Sequence, residues 1–151
     1  MKGPRGMRAV VAFAALGVLL AGIAAACGAP ASQQATGPVA DAVRASMDSG
    51  TASFAHDRWD SLLAGGTEEG LVDYRYFQEH RDRLDAYLER VAAADLAGLA
   101  PSHLEALLIN AYNAYTVEAI LEHPDVSSIR DIDGVWSETT RTVGGYELTL
   151  D

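Results

Sequence analysis

Two asparagines inside an otherwise apolar stretch are the residues most able to do chemistry. Asn110 and Asn113 are three positions apart within residues 107–117, so they share one face if the stretch is helical. Asparagine is a mediocre helix former, and a buried amide without a partner costs about 1–3 kcal/mol, so their presence needs a reason. Either the amides bind the backbone of a neighbouring loop, or they line a polar cleft or orient a catalytic group. The spacing leaves both interpretations open.

The other chemically capable residues do not form a recognisable site. The four histidines are far apart and lack the spacing of metal ligands, so neither a metal site nor a cofactor is predicted. They are His56, His80, His103 and His123. Residues 131–134 (Asp-Ile-Asp-Gly) match only part of a calcium-binding loop, and a turn is favoured. The sequence has no nucleophile elbow, phosphate-binding loop or dinucleotide motif, so the catalytic residues stay unknown.

The charge of the chain excludes one class of partner. Its 151 residues include 11 Lys and Arg against 21 Asp and Glu, a net charge of −10. The first ten residues contain three of the bases and no acid, so the remainder has 8 bases and 21 acids, a charge of −13. Such a surface repels phosphate backbones, and nucleic acid is not a predicted partner. The single cysteine excludes a disulfide framework.

The first 38 residues indicate export and attachment to a membrane. Met1–Arg8 is basic, and Ala9–Ala26 has no charge and ends in small residues, the layout of a secretory signal peptide. Cys27 follows directly, which resembles a bacterial lipoprotein signal whose cysteine is acylated. The alternatives are ordinary cleavage that leaves a free thiol and a retained membrane anchor. Gly28–Pro38 is too poor in apolar side chains to fold and is predicted to be a flexible tether.

Helices are predicted before the central apolar stretch. Val39–Asp48 is either a weak helix or more tether, and we place the tether at residues 27–52 and the domain at 53–151. Phe54–Ala64 has helical spacing and ends at two glycines. Leu71–Tyr74 reads as a short strand or an extended link. Asp73 is the predicted N-cap of one long helix over residues 75–94.

The central helix and a C-terminal hairpin complete a predicted α+β fold. Ser102 and Glu105 have the spacing of a capping box, and the helix to Glu122 is apolar on nearly every side, as in a buried central helix. Two glycines at 144–145 separate residues 141–143 from 146–148, which predicts a tight hairpin. Apolar residues alternate in 146–150 and form a face that should be buried, but the given sequence has no later residue to cover it. We therefore expect an incomplete domain.

Ordered motifs across residues 54–151 resemble a known family. The central helix reads LINAYNAYTV at 108–117, and SSIRDI at 127–132 contains Arg130 and Asp131. WDSLL at 59–63, GLVDY at 70–74 and TVGG with LTLD in 142–151 keep the same order. Together they resemble the family called domain of unknown function 547. The candidate structural or cleft residues are then Asn110, Tyr112, Asn113, Arg130 and Asp131.

The resemblance implies a cellular location for this chain and leaves two hypotheses about its function open. Bacterial members of the family are exported, some of them as lipoproteins, and plant members are treated as interaction proteins. A full family domain continues into a cysteine-containing segment, so this chain would hold the N-terminal half. The first hypothesis is an exported, lipid-anchored protein of the cell envelope that acts as a non-catalytic or truncated binding module, with a protein partner. The second is a fragment of an enzyme, such as a cysteine-dependent hydrolase, whose catalytic segment lies beyond residue 151.

Overall fold

Helices dominate the architecture, and two small hairpins accompany them. The computed structural model describes residues 37–151, so the predicted signal peptide, Cys27 and residues 28–36 of the predicted tether lie outside the described residues. The helices are α1 (Pro38–Ser49), α2 (Asp57–Gly66), α3 (Tyr74–Glu79), α4 (Arg81–Ala92) and α5 (Pro101–Glu122). Strands β1 (Thr67–Glu68) and β2 (Leu71–Val72) form one antiparallel hairpin, and β3 (Arg141–Val143) and β4 (Tyr146–Leu148) form another. The predicted α+β fold is confirmed.

Helix α5 is the central element of the fold. Nine of its 22 residues are buried, and α1, α3, α4 and β3 all pack against it, as its apolar composition predicts. Its predicted capping box is wrong. The helix begins at Pro101 after Ala100, so Ser102 lies inside the first turn and no side chain caps it. Proline suits the first helical position, where its missing N–H needs no partner. Within residues 37–151, no helix is long and apolar enough to cross a bilayer.

The predicted long helix over residues 75–94 is two helices that meet at His80. Asp73 is the N-cap of α3, as predicted, and its carboxylate accepts from the amides of Arg75 and Tyr76 at 3.1 and 3.3 Å. At His80 the backbone leaves the helical region (φ −117°, ψ 31°). The His80 ring nitrogen Nδ1 lies 2.9 Å from the carbonyl oxygen of Tyr76. The His80 amide still donates to the carbonyl oxygens of Tyr76 and Phe77 at 3.1 and 3.2 Å, so α3 closes there, and the His80 carbonyl oxygen accepts from Arg83 and Leu84 and opens α4.

Helix α1 is folded structure that precedes the expected domain boundary. For residues 39–48 the sequence allows either a weak helix or more tether, and the structure has a helix in which Ala42 and Ser46 are buried. Ser46 Oγ donates to the carbonyl oxygen of Leu99 at 2.7 Å, and a Cβ at Gly50 would collide with the same carbonyl. These contacts attach α1 to the segment before α5. The ordered part therefore begins earlier than the expected boundary at residue 53.

The two glycines at the end of α2 also allow close packing. The helix runs from Asp57 to Gly66, whereas the sequence predicts residues 54–64 with Gly65 and Gly66 as the stop. A Cβ at Gly66 would collide with the ring of Phe77, so only glycine lets α2 approach α3 this closely. The strand predicted at residues 71–74 is β2, which pairs through a tight turn with β1. The sequence did not predict β1.

The C-terminal hairpin has the predicted turn and is fastened to α4. Gly144 and Gly145 have φ of +60° and +80°, which glycine adopts without strain. Their amides donate to the carbonyl oxygens of Val91 and Ala92 at 3.0 and 2.8 Å. The apolar face that was expected to lack a cover is half-buried against the core. It consists of Tyr146, Leu148 and Leu150.

Candidate functional site

One face of the central helix stays open to solvent, and we call it the α5 stripe. It consists of Glu105, Ile109, Tyr112 and Asn113, whose spacing places them on one side of the helix. Ile109 is 55% exposed and Tyr112 is 43% exposed. Among the described residues only Met47 joins them as an exposed large hydrophobic residue. The most buried helix of the fold thus carries two of these three side chains.

The two asparagines singled out by the sequence border or belong to this stripe. Asn113 is half-buried within it, and Asn110 is half-buried on the adjacent side of α5. Neither side-chain amide has a hydrogen-bond partner among residues 37–151. The interpretation that they tie α5 to the backbone of a neighbouring loop is therefore wrong for this structure. Their donors and acceptors are free for water or for a molecule that binds here.

Trp136 extends the apolar part of the stripe. Its ring stacks on that of Tyr112 with centroids 6.4 Å apart and planes 19° from parallel. Its carbonyl oxygen accepts from the amides of Leu150 and Asp151 at 3.0 and 3.1 Å, which holds its loop to the C-terminal end of β4. Trp136 is not among the candidate residues that the sequence indicates, because a contact between residues 24 positions apart leaves no local pattern.

A small cavity lies beside Asn113. Its volume is about 10 Å³ for the centre of a water-sized molecule, room for about one water. Within residues 37–151, Trp59 Nε1 and the hydroxyl of Tyr74 are buried without hydrogen-bond partners, and burial raises the pKa of Tyr74. Both residues line the cavity. The full lining is Trp59, Leu63, Val72, Tyr74, Phe77, Asn113, Thr116 and Val117. Asn113 thus borders a cleft, but one too small for an organic substrate.

Arg130 and Asp131 are exposed in the short 3-10 turn that follows α5. The turn spans Ile129–Asp131, and Ser128 Oγ accepts from the Arg130 amide at 3.3 Å. Neither the guanidinium nor the carboxylate has a hydrogen-bond or ion-pair partner in the described part of the chain. The structure therefore joins neither of them to the asparagines through a polar contact. Both residues remain available at the surface.

The opposite side of α5 is occupied by a polar cluster that the sequence did not indicate. Glu118 lies 3.3 Å from Arg81 of α4 and 3.3 Å from Arg141 of β3. Tyr115 donates from its hydroxyl to the carbonyl oxygen of Thr142 at 2.6 Å. Burial, followed by repulsion from Glu122, raises the pKa of Glu118, and burial raises that of Tyr115 to about 12. This cluster attaches the hairpin to the helices and leaves little for a ligand to bind.

A histidine at the start of α2 is built into an aromatic cluster. His56 Nδ1 lies 2.9 Å from the hydroxyl of Tyr87, and Tyr87 stacks on Trp59 with centroids 5.6 Å apart. His56 Nε2 is buried without a hydrogen-bond partner among residues 37–151. Burial lowers the pKa of His56, so the neutral imidazole is favoured. In the same part of the chain, no group of three His, Cys, Asp or Glu side chains could hold a metal ion.

Comparisons of the chain with protein-family models, with curated proteins and with solved structures find no match. The resemblance to domain of unknown function 547 therefore stays a prediction that rests on the quoted motifs alone. The function has to be argued from the site itself.

Proposed function

We propose that this chain is an exported, lipid-anchored protein of the cell envelope whose domain is a binding module for another protein. One observation carries the proposal. Helix α5 is buried on most sides, yet it keeps Ile109 and Tyr112 exposed beside the unpartnered amide of Asn113. Exposed apolar side chains grouped with polar groups are typical of surfaces that another molecule covers.

The chemistry of the α5 stripe favours a polypeptide over a small substrate. The adjoining cavity has room for about one water molecule. Stacked Tyr112 and Trp136 supply the large aromatic surface that is enriched in protein interfaces. The free amide of Asn113 offers a donor and an acceptor together, which matches the C=O and N–H of a peptide group. A stretch of another protein would satisfy all of these groups at once.

The proposed location rests on the N-terminal sequence. The basic and apolar segments before Cys27 have the order of a secretory signal, and the cysteine stands where a lipoprotein is acylated. Helix α1 begins at Pro38, so about ten residues separate it from the anchor, and they reach on the order of 20 Å. The domain would thus be held near the membrane while the stripe stays accessible to partners.

Anchoring is tested by labelling with palmitate in the cells that make the protein. We expect the full chain to incorporate label and to fractionate with membranes, because several acyl chains hold a protein firmly at a bilayer. Cys27→Ser should abolish the label and release the protein. Label that survives the substitution would contradict acylation at Cys27.

Binding is tested with a photo-crosslinking amino acid placed at position 112 of the full chain in intact cells. We expect one discrete protein adduct that disappears when Trp136→Ala is added. The matched control carries the crosslinker at position 47, because Met47 is 66% exposed on a different helix. Equal adducts at both positions, or none at position 112, would contradict the proposed binding surface.

A further inference from the structure

We propose that the segment which binds the α5 stripe is a cationic, amphipathic stretch of another protein. This inference rests on the proposed binding function and specifies the chemistry of the partner. The stripe and Trp136 provide the apolar centre. The charges in the same elements and over the whole domain indicate the charge of the partner.

The two elements that carry the apolar centre also carry exposed carboxylates. Glu105 lies one helical turn before Ile109 on the same face of α5, and Asp131, Asp133 and Glu138 belong to the loop that carries Trp136. Within residues 37–151, none of these four carboxylates forms an ion pair. Arg130 is the single basic residue in residues 124–140. The elements that carry the apolar centre are therefore predominantly acidic, and these four carboxylates are the acidic rim of the proposal.

The charge of the whole domain favours the same partner and disfavours two others. Residues 37–151 contain 8 arginines, no lysine and 21 acids, a charge of −13. A second copy of the chain would bring the same charge, and the like-charge repulsion would oppose its docking. The same repulsion opposes contact with an anionic lipid surface. A cationic segment is instead attracted from a distance, which raises its association rate.

The aromatic pair suits basic side chains as well as apolar ones. Guanidinium and ammonium groups bind favourably over the faces of tryptophan and tyrosine rings. A segment with apolar residues on one side and Arg or Lys at its margins would cover Ile109, stack on Tyr112 or Trp136 and reach the carboxylates. Such segments bind exposed faces as amphipathic helices in many complexes.

The test uses two dye-labelled synthetic peptides of equal length, an amphipathic leucine–lysine helix and its leucine–glutamate counterpart, titrated with the full-length chain. We expect the lysine peptide to bind at least about tenfold more tightly, because only it complements the rim. Tyr112→Ala should weaken its binding by about tenfold or more, since large aromatic side chains dominate interfaces. The combined variant E105Q/D133N/E138Q should weaken it by about tenfold.

A matched variant separates the stripe from general attraction to an acidic protein. D48N/E79Q/E89Q removes the same charge from exposed positions on α1, α3 and α4 and should change the affinity by less than about twofold. Equal effects of the two triple variants, or binding that ignores Tyr112→Ala, would overturn the proposal. So would equal affinity for the glutamate peptide.

The crosslinking experiment distinguishes this failure from failure of the proposed function. Loss of the adduct at position 112 from E105Q/D133N/E138Q, with retention in D48N/E79Q/E89Q, is the expected result. An adduct that keeps its yield in both variants would overturn the cationic partner and leave the binding surface standing. Absence of any adduct in the unmodified background would count against the binding function itself.

Discussion

Helix α5 treats its polar residues differently on its two sides. On the side that faces α4 and the C-terminal hairpin, Tyr115 and Glu118 both have partners in other elements. In the α5 stripe, the amide of Asn113 has none within the described residues, and neither has that of Asn110 on the adjacent side. Polar groups that serve the fold are satisfied internally, because leaving them buried and unpaired is costly. The contrast shows that the first side holds the domain together, and it supports the proposal that the second side binds another molecule.

The largest expected effect on stability comes from Gly144→Ala, in the hairpin that packs on the first side of α5. A Cβ there would collide with the side chain of Leu96, would lie 2.9 Å from the carbonyl oxygen of Ala94, and would be held at φ +60°. We expect the free energy of unfolding to fall by about 3 kcal/mol, measured by urea denaturation of the full chain. Gly145→Ala is the control, because a Cβ there meets nothing within 4 Å. It should cost only about 1 kcal/mol, and equal losses would mean that the close packing at Gly144 is unimportant.

Removing one cation from the polar cluster should have the next largest effect. Arg141→Ala leaves Glu118 half-buried with one arginine instead of two and removes a guanidinium 5.9 Å from the centre of the Tyr115 ring. We expect a loss of about 2 kcal/mol of unfolding free energy. Arg130→Ala, at an exposed arginine without an ion pair in the described part, should change it by less than about 0.5 kcal/mol. Similar values for both arginines would remove the distinction between the two sides.

The polar residues of the two sides give the most direct comparison. Tyr115→Phe should lower the unfolding free energy by about 1 kcal/mol, because the carbonyl oxygen of Thr142 loses its donor. Asn113→Ala and Asn110→Ala should each change it by less than about 0.5 kcal/mol, since neither amide has a partner to lose. Thermal denaturation of the three variants measures this. A loss above 1 kcal/mol from either asparagine would show that it serves the fold.

The smallest expected effect concerns His56, whose ring nitrogen Nε2 is buried and unpaired away from the α5 stripe. Burial lowers its pKa below the ordinary 6.5, so its contribution to stability is complete above pH 6.5. That contribution is lost as the pH falls from 6.5 through the lowered pKa, because the unfolded chain takes up a proton that the folded chain resists. We expect the melting temperature to drop more steeply between pH 7.5 and 5.5 in the wild type than in His56→Gln. Parallel curves would mean that burial of His56 has no effect on its titration.

Local signals in the sequence predicted the elements that depend on local physics. The glycines at 144–145 define their own turn, Asp73 caps the helix that follows it, and the apolar residues of α5 require burial. The helix break at His80 depends on a change of backbone angles at a single residue, and the apolar spacing continues through it, so the pattern does not reveal it. The spacing in α1 does not decide between helix and tether, because a contact that holds this helix is made with the distant Leu99.

The candidate site divides in the same way. Helical spacing placed Asn110 and Asn113 on one face, and this follows from periodicity alone. Their lack of partners and the stacking of Trp136 on Tyr112 depend on where the loop after α5 lies. The ion pairs of Glu118 join residues from three elements, so no single stretch of sequence contains their pattern.

The attachment of the C-terminal turn to α4 has a consequence for the order of events during synthesis. The carbonyl oxygens of Val91 and Ala92, at the end of α4, receive their donors from Gly144 and Gly145. Those donors emerge from the ribosome only after the whole of α5 has been made. Until then the end of α4 lacks these two donors, and we expect its last turn to fray and the Gly144 and Gly145 amides to gain slow hydrogen exchange only together with it.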